Sequence, residues 1–217
     1  MAPKELIEEI RSLYENAHIP LYKHERIFRG ESRPISSAME DLFAKYLIEQ
    51  IPSESLAFIN QIITNGSCKN RIRVKPDIMI VRNNEIKALI DLKMDLGYKR
   101  NEFLDFWRKR DALLSKMRGK SFHFNKTDGY KKSDDNIYVS KTAMLYFIII
   151  SDQNINSKNL NSLKEKKDSM KNSKLYFLFE GIHPNDPDSS LEVLNKHIDH
   201  LNKTLELLNS DLRTIIK

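Results

Sequence analysis

The sequence has a single cysteine among its 217 residues, no long apolar run and no leader-like amino terminus. Because Cys68 stands alone, no intrachain disulfide is expected, and a reducing compartment such as the cytoplasm fits. The longest apolar run, residues 143–150, is far shorter than the roughly 20 residues that a membrane-spanning helix needs. The first residues, MAPKELIEEI, are acidic and amphipathic, unlike a secretory signal. These absences predict a cytoplasmic protein without a membrane segment.

Positive charge is in moderate excess. The chain has 36 Lys and Arg against 30 Asp and Glu, a net charge of +6, and a pI near 9.2. This balance favours polyanionic partners such as nucleic acid, although a solvated basic surface is the alternative interpretation. A hydrophobic content of 40% with 30% charged residues is typical of a globular protein, and the length predicts one domain over residues 1–217.

The spacing of apolar residues predicts an alternation of helices and strands. Ser37 is the expected N-cap of the second helix, with Glu40 at the capping-box position three residues later. Segment 56–64 is ambiguous between helix and strand. The polar segments 119–140 and 152–173 indicate a loop or small flap and a lysine-rich insertion. The predicted helices are 3–17, 37–51, 98–118 and 189–216, and the predicted strands are 74–81, 86–93, 142–151 and 174–181.

The last predicted helix has an unbroken heptad pattern. It opens with Ser189 as an expected N-cap, and its apolar residues recur in alternating steps of three and four. Such a pattern is typical of a helix that crosses the core of its own domain, and equally of a seam between two subunits. Both interpretations stay open at this point. The residues are Leu191, Leu194, Ile198, Leu201, Leu205, Leu208, Leu212 and Ile215.

The predicted hairpin divides its residues by parity. Even-numbered positions are apolar, whereas the odd-numbered ones include Asp77, Asp91 and Lys93. A three-residue connection at 83–85, or an equivalent bulge, would set Asp77 opposite Asp91 and place all even positions on one core. Two facing carboxylates are destabilising unless a proton or cation lies between them. Their oxygens suit Mg²⁺ or Mn²⁺, and Lys93 on the same face could hold or deprotonate a water.

Pro76-Asp77, then thirteen residues, then Asp91-Leu92-Lys93 resembles the signature of the PD-(D/E)XK nuclease superfamily. That superfamily includes many type II restriction endonucleases and several repair and recombination nucleases. The resemblance covers about residues 36–151. It implies a restriction-endonuclease-like α/β/α sandwich around a central mixed sheet of four or five strands, in the order α-β-β-β-α-β. Two other D/E-x-K triplets, at 85–87 and 165–167, do not end a hairpin that starts with Pro-Asp.

The resemblance also implies roles for individual residues. Asp77 and Asp91 would bind Mg²⁺, with Mn²⁺ as a substitute, and the main-chain carbonyl of Leu92 is a further candidate ligand. Lys93 would position or activate the attacking water. Many members of the superfamily carry an acidic residue on the helix before the sheet, and Glu40 is the candidate here. For Glu40 the capping box is the alternative role.

Four cations flank the motif and are candidate phosphate contacts: Arg71, Arg73, Lys99 and Arg100. Base reading would fall to segment 119–140 or 152–173. The predicted function is a Mg²⁺-dependent DNA endonuclease, most like a small type II restriction enzyme. A homodimer would match its two sites to the two DNA strands. The alternatives are a repair, mobile-element or phage-defence nuclease of the same fold, or a non-catalytic nucleic-acid-binding domain.

Overall fold

A computed structural model describes the chain except residues 23, 24, 27, 30, 67–70, 98–100, 129–130 and 187–189, and except the side chains of 125–128, 131–134 and 168. In the described part, two helices are followed by five strands, and shorter groups of helices and strands complete the chain. The helices are α1 Pro3–Ala17, α2 Ser36–Ile48, α3 Phe103–Met117, α4 Ser157–Lys166, α5 Leu191–Asn195 and α6 Ile198–Ile215. The strands are β1 Leu56–Ile59, β2 Ile63–Asn65, β3 Ile72–Val74, β4 Ile78–Arg82, β5 Glu85–Lys93, β6 Ser121–Asp128, β7 Lys131–Ser151 and β8 Ser173–Phe179.

The eight described strands form one mixed sheet, in the order β1-β4-β5-β7-β6-β2-β3, with β8 paired to β7. Strands β1, β4 and β5 are antiparallel, whereas β5 and β8 both run parallel to the second half of β7. The first half of β7 pairs with β6 in an antiparallel hairpin. The α/β class with a mixed sheet is therefore confirmed, whereas the expected count of four or five strands is wrong.

The extra strands come from segments with the composition of loops. Segment 119–140 was expected to form a loop or small flap, but it contains β6 and the first part of β7. Among its described side chains, burial alternates over 121–124 and 136–139, which leaves the positions between the buried ones for exposed residues. The buried residues that mark the inner face are Phe122, Phe124, Ile137 and Val139.

Helices lie on both faces of the sheet, over two apolar cores. The first core includes residues of α1, α2 and α6 together with Ile80 and Ile90 from the central hairpin. The second includes α3 and the opposite side of the same strands, with Met79 and Leu89. Among the described helices, none combines the length and apolar character that a membrane span needs.

The amino-terminal helix lies where it was predicted, but the start of α2 differs. Its N-cap is Ile35, and no side chain caps it. Ser37 lies inside the helix, so the expected capping box of Ser37 with Glu40 is wrong. The carboxylate of Glu40 is bonded elsewhere, as described below.

The carboxyl-terminal heptad segment is broken into α5 and α6. The amides of Lys196 and His197 donate to Val193 and Leu194, three residues earlier, so the α-helix is interrupted at this turn. Ser190 caps α5 through the amide of Val193, and the predicted cap Ser189 lies outside the described residues. The heptad residues Leu194, Leu201, Leu205, Leu208 and Leu212 are buried in the chain's own first core. The intrachain interpretation is therefore the one observed, and the homodimer stays a prediction without this seam.

Candidate active site

The β4–β5 hairpin has the register that the site requires, and a bulge produces it. Asn83 and Asn84, with φ of 55° and 58°, form a two-residue turn of the type that matches strand twist. Lys87 is then an extra residue on β5, so the pairing shifts by one. Beyond the bulge Ile78 faces Ile90, which places the preceding Asp77 opposite Asp91. The pairs on either side of the shift are Val81–Ile86 and Ile80–Ala88.

The bulge alternative of the prediction is thus present, and it corrects one detail. Ile86 precedes Lys87 in the strand, so it lies with Val81 in the second core. The expectation that every even position would share one face is therefore wrong for Ile86. The other even positions are in the first core: Ile78, Ile80, Ala88, Ile90 and Leu92.

Asp77 makes the central contacts of the candidate site. Its Oδ2 accepts a hydrogen bond from the amide of Leu92 at 2.7 Å and another from Nζ of Lys93 at 3.1 Å. The same Nζ donates to the carbonyl oxygen of Leu92 at 3.1 Å. One ammonium group therefore joins a carboxylate oxygen and a main-chain oxygen. These are two of the oxygens that the resemblance assigns to a metal ion.

Glu40 is connected to Asp77 through Asn60, a residue that the sequence reasoning missed. Asn60 follows β1 with φ of 55°, a conformation that asparagine tolerates better than most residues. Its amide N–H donates to the carbonyl oxygen of Asp77 at 2.9 Å, and its side-chain amide donates to Oε2 of Glu40. Asn60 therefore holds both residues from one backbone position.

Glu40 is buried although it is a charged residue on a helix, with only 9% of its surface exposed. Burial raises the pKa of Glu40, and the hydrogen bond from Asn60 opposes that rise. The negative charge of Asp77 raises the pKa further, whereas Lys75 and Lys93 lower it. These influences indicate that Glu40, Asp77 and Lys93 share one electrostatic environment.

Asp91 lies deeper, beneath α3, with 4% of its surface exposed. Its Oδ2 is 3.7 Å from Nε of Arg110, an ion pair too long to be a hydrogen bond. Burial raises the pKa of Asp91, the charges of Lys93 and Arg110 lower it, and Asp77 raises it. Arg110 is a second residue that the sequence reasoning missed. Its guanidinium also lies over the ring of Phe106, at 5.3 Å.

The residues fit a hard divalent cation in the kind of oxygen that they offer. The oxygens of Asp77 and Leu92 already converge on one positive group, the ammonium of Lys93. Glu40 and Asp91 instead face Asn60 and Arg110. Across the described residues, no three His, Cys, Asp or Glu side chains form a metal-binding group. Asp77 and Leu92 are therefore the best-placed candidate ligands.

Comparisons with protein-family models, with curated proteins and with solved structures found no match to this chain. The resemblance to the PD-(D/E)XK signature therefore depends on the motif, the contacts around Asp77 and the order of the elements. That order is helix α2, strands β1, β4 and β5, helix α3, and then β7 parallel to β5. Strands β2 and β3 are inserted between β1 and β4.

Two of the four predicted phosphate contacts belong to the described residues. Arg71 is exposed just before β3, Arg73 is exposed within it, and Lys75 is exposed just after it. The chain continues from Lys75 through Pro76 to Asp77, so these cations lead directly to the candidate site. Lys99 and Arg100 lie outside the described residues.

Proposed function

We propose that this protein is a metal-dependent DNA endonuclease of the PD-(D/E)XK type, most like a type II restriction endonuclease. The observation that carries the proposal is the contact of Asp77 Oδ2 with the Leu92 amide at 2.7 Å and with Lys93 Nζ at 3.1 Å. A chance match of letters would not require the two ends of the motif to meet. Mg²⁺ is the proposed cofactor, with Mn²⁺ as a substitute, and a homodimer is the proposed assembly.

The mechanism assigns each side chain a separate task. Bound Mg²⁺ would lower the pKa of a water and stabilise negative charge on phosphate oxygens. Asp77 and the carbonyl of Leu92 would hold the ion, and Asp91 and Glu40 would complete its carboxylate surroundings. Lys93 has 34% of its side chain exposed, so its ammonium can donate a hydrogen bond to a water that arrives from solvent. That bond would orient the water for in-line attack on phosphorus.

Cleavage of supercoiled plasmid and of single-stranded DNA tests the proposal, with Mg²⁺, Ca²⁺ or EDTA present. The wild-type protein is expected to cut plasmid in Mg²⁺ and not in EDTA. The Asp77→Asn variant should lose this activity, because the substitution removes the negative charge with which Asp77 would hold the metal ion. Asp105→Asn is the matched control, since Asp105 is an exposed carboxylate on α3 that pairs with nearby Arg108. Metal-dependent cutting that persists in Asp77→Asn would contradict the assignment.

A non-catalytic nucleic-acid-binding domain is the second candidate function. The observation in its favour is that Lys93 and Arg110 already face Asp77 and Asp91, so each carboxylate has a cation beside it without a metal. DNA binding without cutting, unchanged in Asp77→Asn, would favour this candidate. Among nucleases of the same fold, repair, mobile-element and phage-defence roles are alternatives to restriction. A neighbouring methyltransferase gene would favour restriction.

A further inference from the structure

The sheet extends beyond the candidate site through β3, β2, β6 and the first half of β7, and this extension has two different faces. Residues opposite each other on antiparallel strands share a face. The register pairs Arg73 with Thr64, Thr64 with His123 and His123 with Asn136. One row of polar side chains therefore crosses four strands. Arg73 is already a candidate phosphate contact, whereas Thr64, His123 and Asn136 have no role in the proposed function.

A second row lies beside the first. Arg71 and Ser121 are two residues from Arg73 and His123, so strand alternation places them on the same side. Arg71, Thr64, Ser121, His123 and Asn136 also line one open depression. We call the six residues of the two rows the polar face: Thr64, Arg71, Arg73, Ser121, His123 and Asn136.

The opposite side of the same strands is apolar and covered. Ile63, Val74, Phe122, Phe124 and Ile137 all belong to the second core. On the polar face, by contrast, Arg71, Arg73, His123 and Asn136 are exposed. The core thus explains the apolar residues of this extension, whereas it gives no reason for Arg, His and Asn at neighbouring positions on the outer side.

The composition and size of the polar face suit duplex DNA. Arginine and asparagine form paired hydrogen bonds with guanine and adenine, and arginine also neutralises phosphates. None of the six residues is acidic. Four strands about 4.8 Å apart span roughly 14 Å, more than the major-groove width of about 12 Å, so this face would lie across the groove and its flanking phosphates.

The polar face also adjoins the candidate site. The four Cα-to-Cα steps from Arg73 to Asp77 can extend over at most about 14 Å. Between them, Lys75 is close enough to lower the pKa of Glu40. A duplex on the polar face would therefore bring its backbone toward Lys75 and Glu40, whereas Asp91 lies beside Val74 and Leu114 on the other side of the sheet.

We propose that the polar face binds duplex DNA, with Arg71 and Arg73 on phosphates and His123 and Asn136 on base edges. This inference rests on the proposed function for the position of the cut. It names residues in segment 119–140, one of the two segments to which the sequence assigns base reading without identifying any residue. Duplex RNA is a weaker occupant, because its deep, narrow major groove does not admit side chains.

Salt dependence of binding tests the phosphate contacts. A fluorescent duplex of about 30 base pairs with a randomised centre is titrated with protein in EDTA, which prevents the proposed cleavage. The slope of log K against log salt should fall by about 0.9 for each phosphate contact removed. The Arg71→Ala/Arg73→Ala variant should therefore lose about 1.8 from the slope. The control variant Lys196→Ala/Lys203→Ala removes the same charge and should leave the slope unchanged. Lys196 is exposed just before α6, and Lys203 is exposed within it.

Selection of bound duplexes from the randomised pool tests the base contacts. His123→Ala and Asn136→Ala should each relax the preferred sequence at one or two positions, with discrimination there falling about tenfold. Asn202→Ala on α6 is the control. A wild-type protein that selects no sequence, or variants that select the wild-type sequence, would overturn the base-reading assignment. Equal binding of an RNA duplex would overturn the choice of DNA.

The outcomes separate this inference from the proposed function. If the wild-type protein cuts plasmid but the Arg71→Ala/Arg73→Ala variant keeps the wild-type salt slope, the polar face is not the DNA surface and the nuclease proposal stands. If no condition gives cutting, yet the slope and the selected sequence change as expected, the inference stands and the nuclease proposal fails.

Discussion

Asn60 gives the most direct test of how the candidate site is held together. Its side-chain amide bonds Glu40, and its backbone, with φ of 55°, bonds Asp77. Asn60→Gly should keep the backbone geometry and remove only the side-chain bond, because glycine adopts positive φ at no steric cost. Asn60→Ala should remove the same bond and add strain, because alanine is unfavourable at positive φ.

The expected magnitudes follow from these contacts. A hydrogen bond to a charged group contributes about 1.5–3 kcal/mol, so Asn60→Gly should lower the free energy of unfolding by roughly 2 kcal/mol near pH 7. Asn60→Ala should lower it by about 1 kcal/mol more, because of the positive φ. Asn83→Gly is a matched control, since Asn83 has the same φ of 55° in the exposed hairpin turn. Its effect should stay within about 0.5 kcal/mol.

The pH dependence adds a sign to this prediction. Burial raises the pKa of Glu40 above its unfolded value, so its contribution to stability is present at low pH and is lost as pH rises through the folded pKa. Loss of the Asn60 bond raises that pKa further. The destabilisation by Asn60→Gly should therefore be larger near pH 7 than near pH 4, where the carboxyl group is largely protonated in both proteins.

Urea unfolding in EDTA at both pH values measures these quantities without any bound metal. If Asn60→Gly unfolds with the wild-type free energy near pH 7, Asn60 does not stabilise Glu40 and the connection between the two carboxylates is wrong. If Asn60→Gly and Asn83→Gly are equally destabilised, the loss belongs to the backbone and not to the carboxylate contact.

Three further predictions concern Lys93, Arg110 and the heptad residues. Lys93→Met should reduce plasmid cleavage about 10²- to 10⁴-fold and retain DNA binding. Lys87→Met, on the same strand, is the control and should cut plasmid normally. An equal loss of cleavage in both variants would contradict a catalytic role for Lys93. Arg110→Met leaves Asp91 buried without its facing cation and should lower the free energy of unfolding by up to about 3 kcal/mol. Burial raises the pKa of Asp91, so the loss of stability should grow as pH rises and more of the carboxyl group becomes charged. Urea unfolding from acid to neutral pH measures this loss, and a loss that does not change with pH would contradict a role for the pair. Leu208→Ala should lower the free energy of unfolding by about 2–5 kcal/mol and leave the sedimentation of the protein unchanged. If the variant instead dissociates from an oligomer, Leu208 lies in a subunit interface.

The parts of the fold that the sequence predicted well are those with strong apolar periodicity. The first helix and the central hairpin follow directly from their spacing, and the parity of Asp77, Asp91 and Lys93 by itself indicates a common face. The sequence predicts that register through either a three-residue connection at 83–85 or a bulge, and it does not place the bulge at Lys87. Its position depends on how Asn83 and Asn84 turn, and many sequences allow more than one turn of similar length.

The residues that were missed have partners distant in sequence. Asn60 contacts Glu40 and Asp77 across twenty and seventeen positions, and Arg110 reaches Asp91 from the following helix. Local spacing contains no signal for such pairs. The Ser37 cap was wrong because the helix begins one residue earlier, at Ser36, and Glu40, the other half of the expected box, accepts a hydrogen bond from Asn60 instead.

Strand β7 has a consequence for how the protein can be altered. Its 21 residues are shared, since one half pairs with β6 and the other with β5 and β8. Near the middle of this strand, Tyr138 and Val139 also pair with Glu85 and Ile86 at the start of β5. Deleting the outer hairpin would remove a neighbour of the central hairpin and leave new sheet edges. The extension therefore cannot be trimmed or exchanged as a separate module, and both halves of the sheet should unfold in one cooperative step.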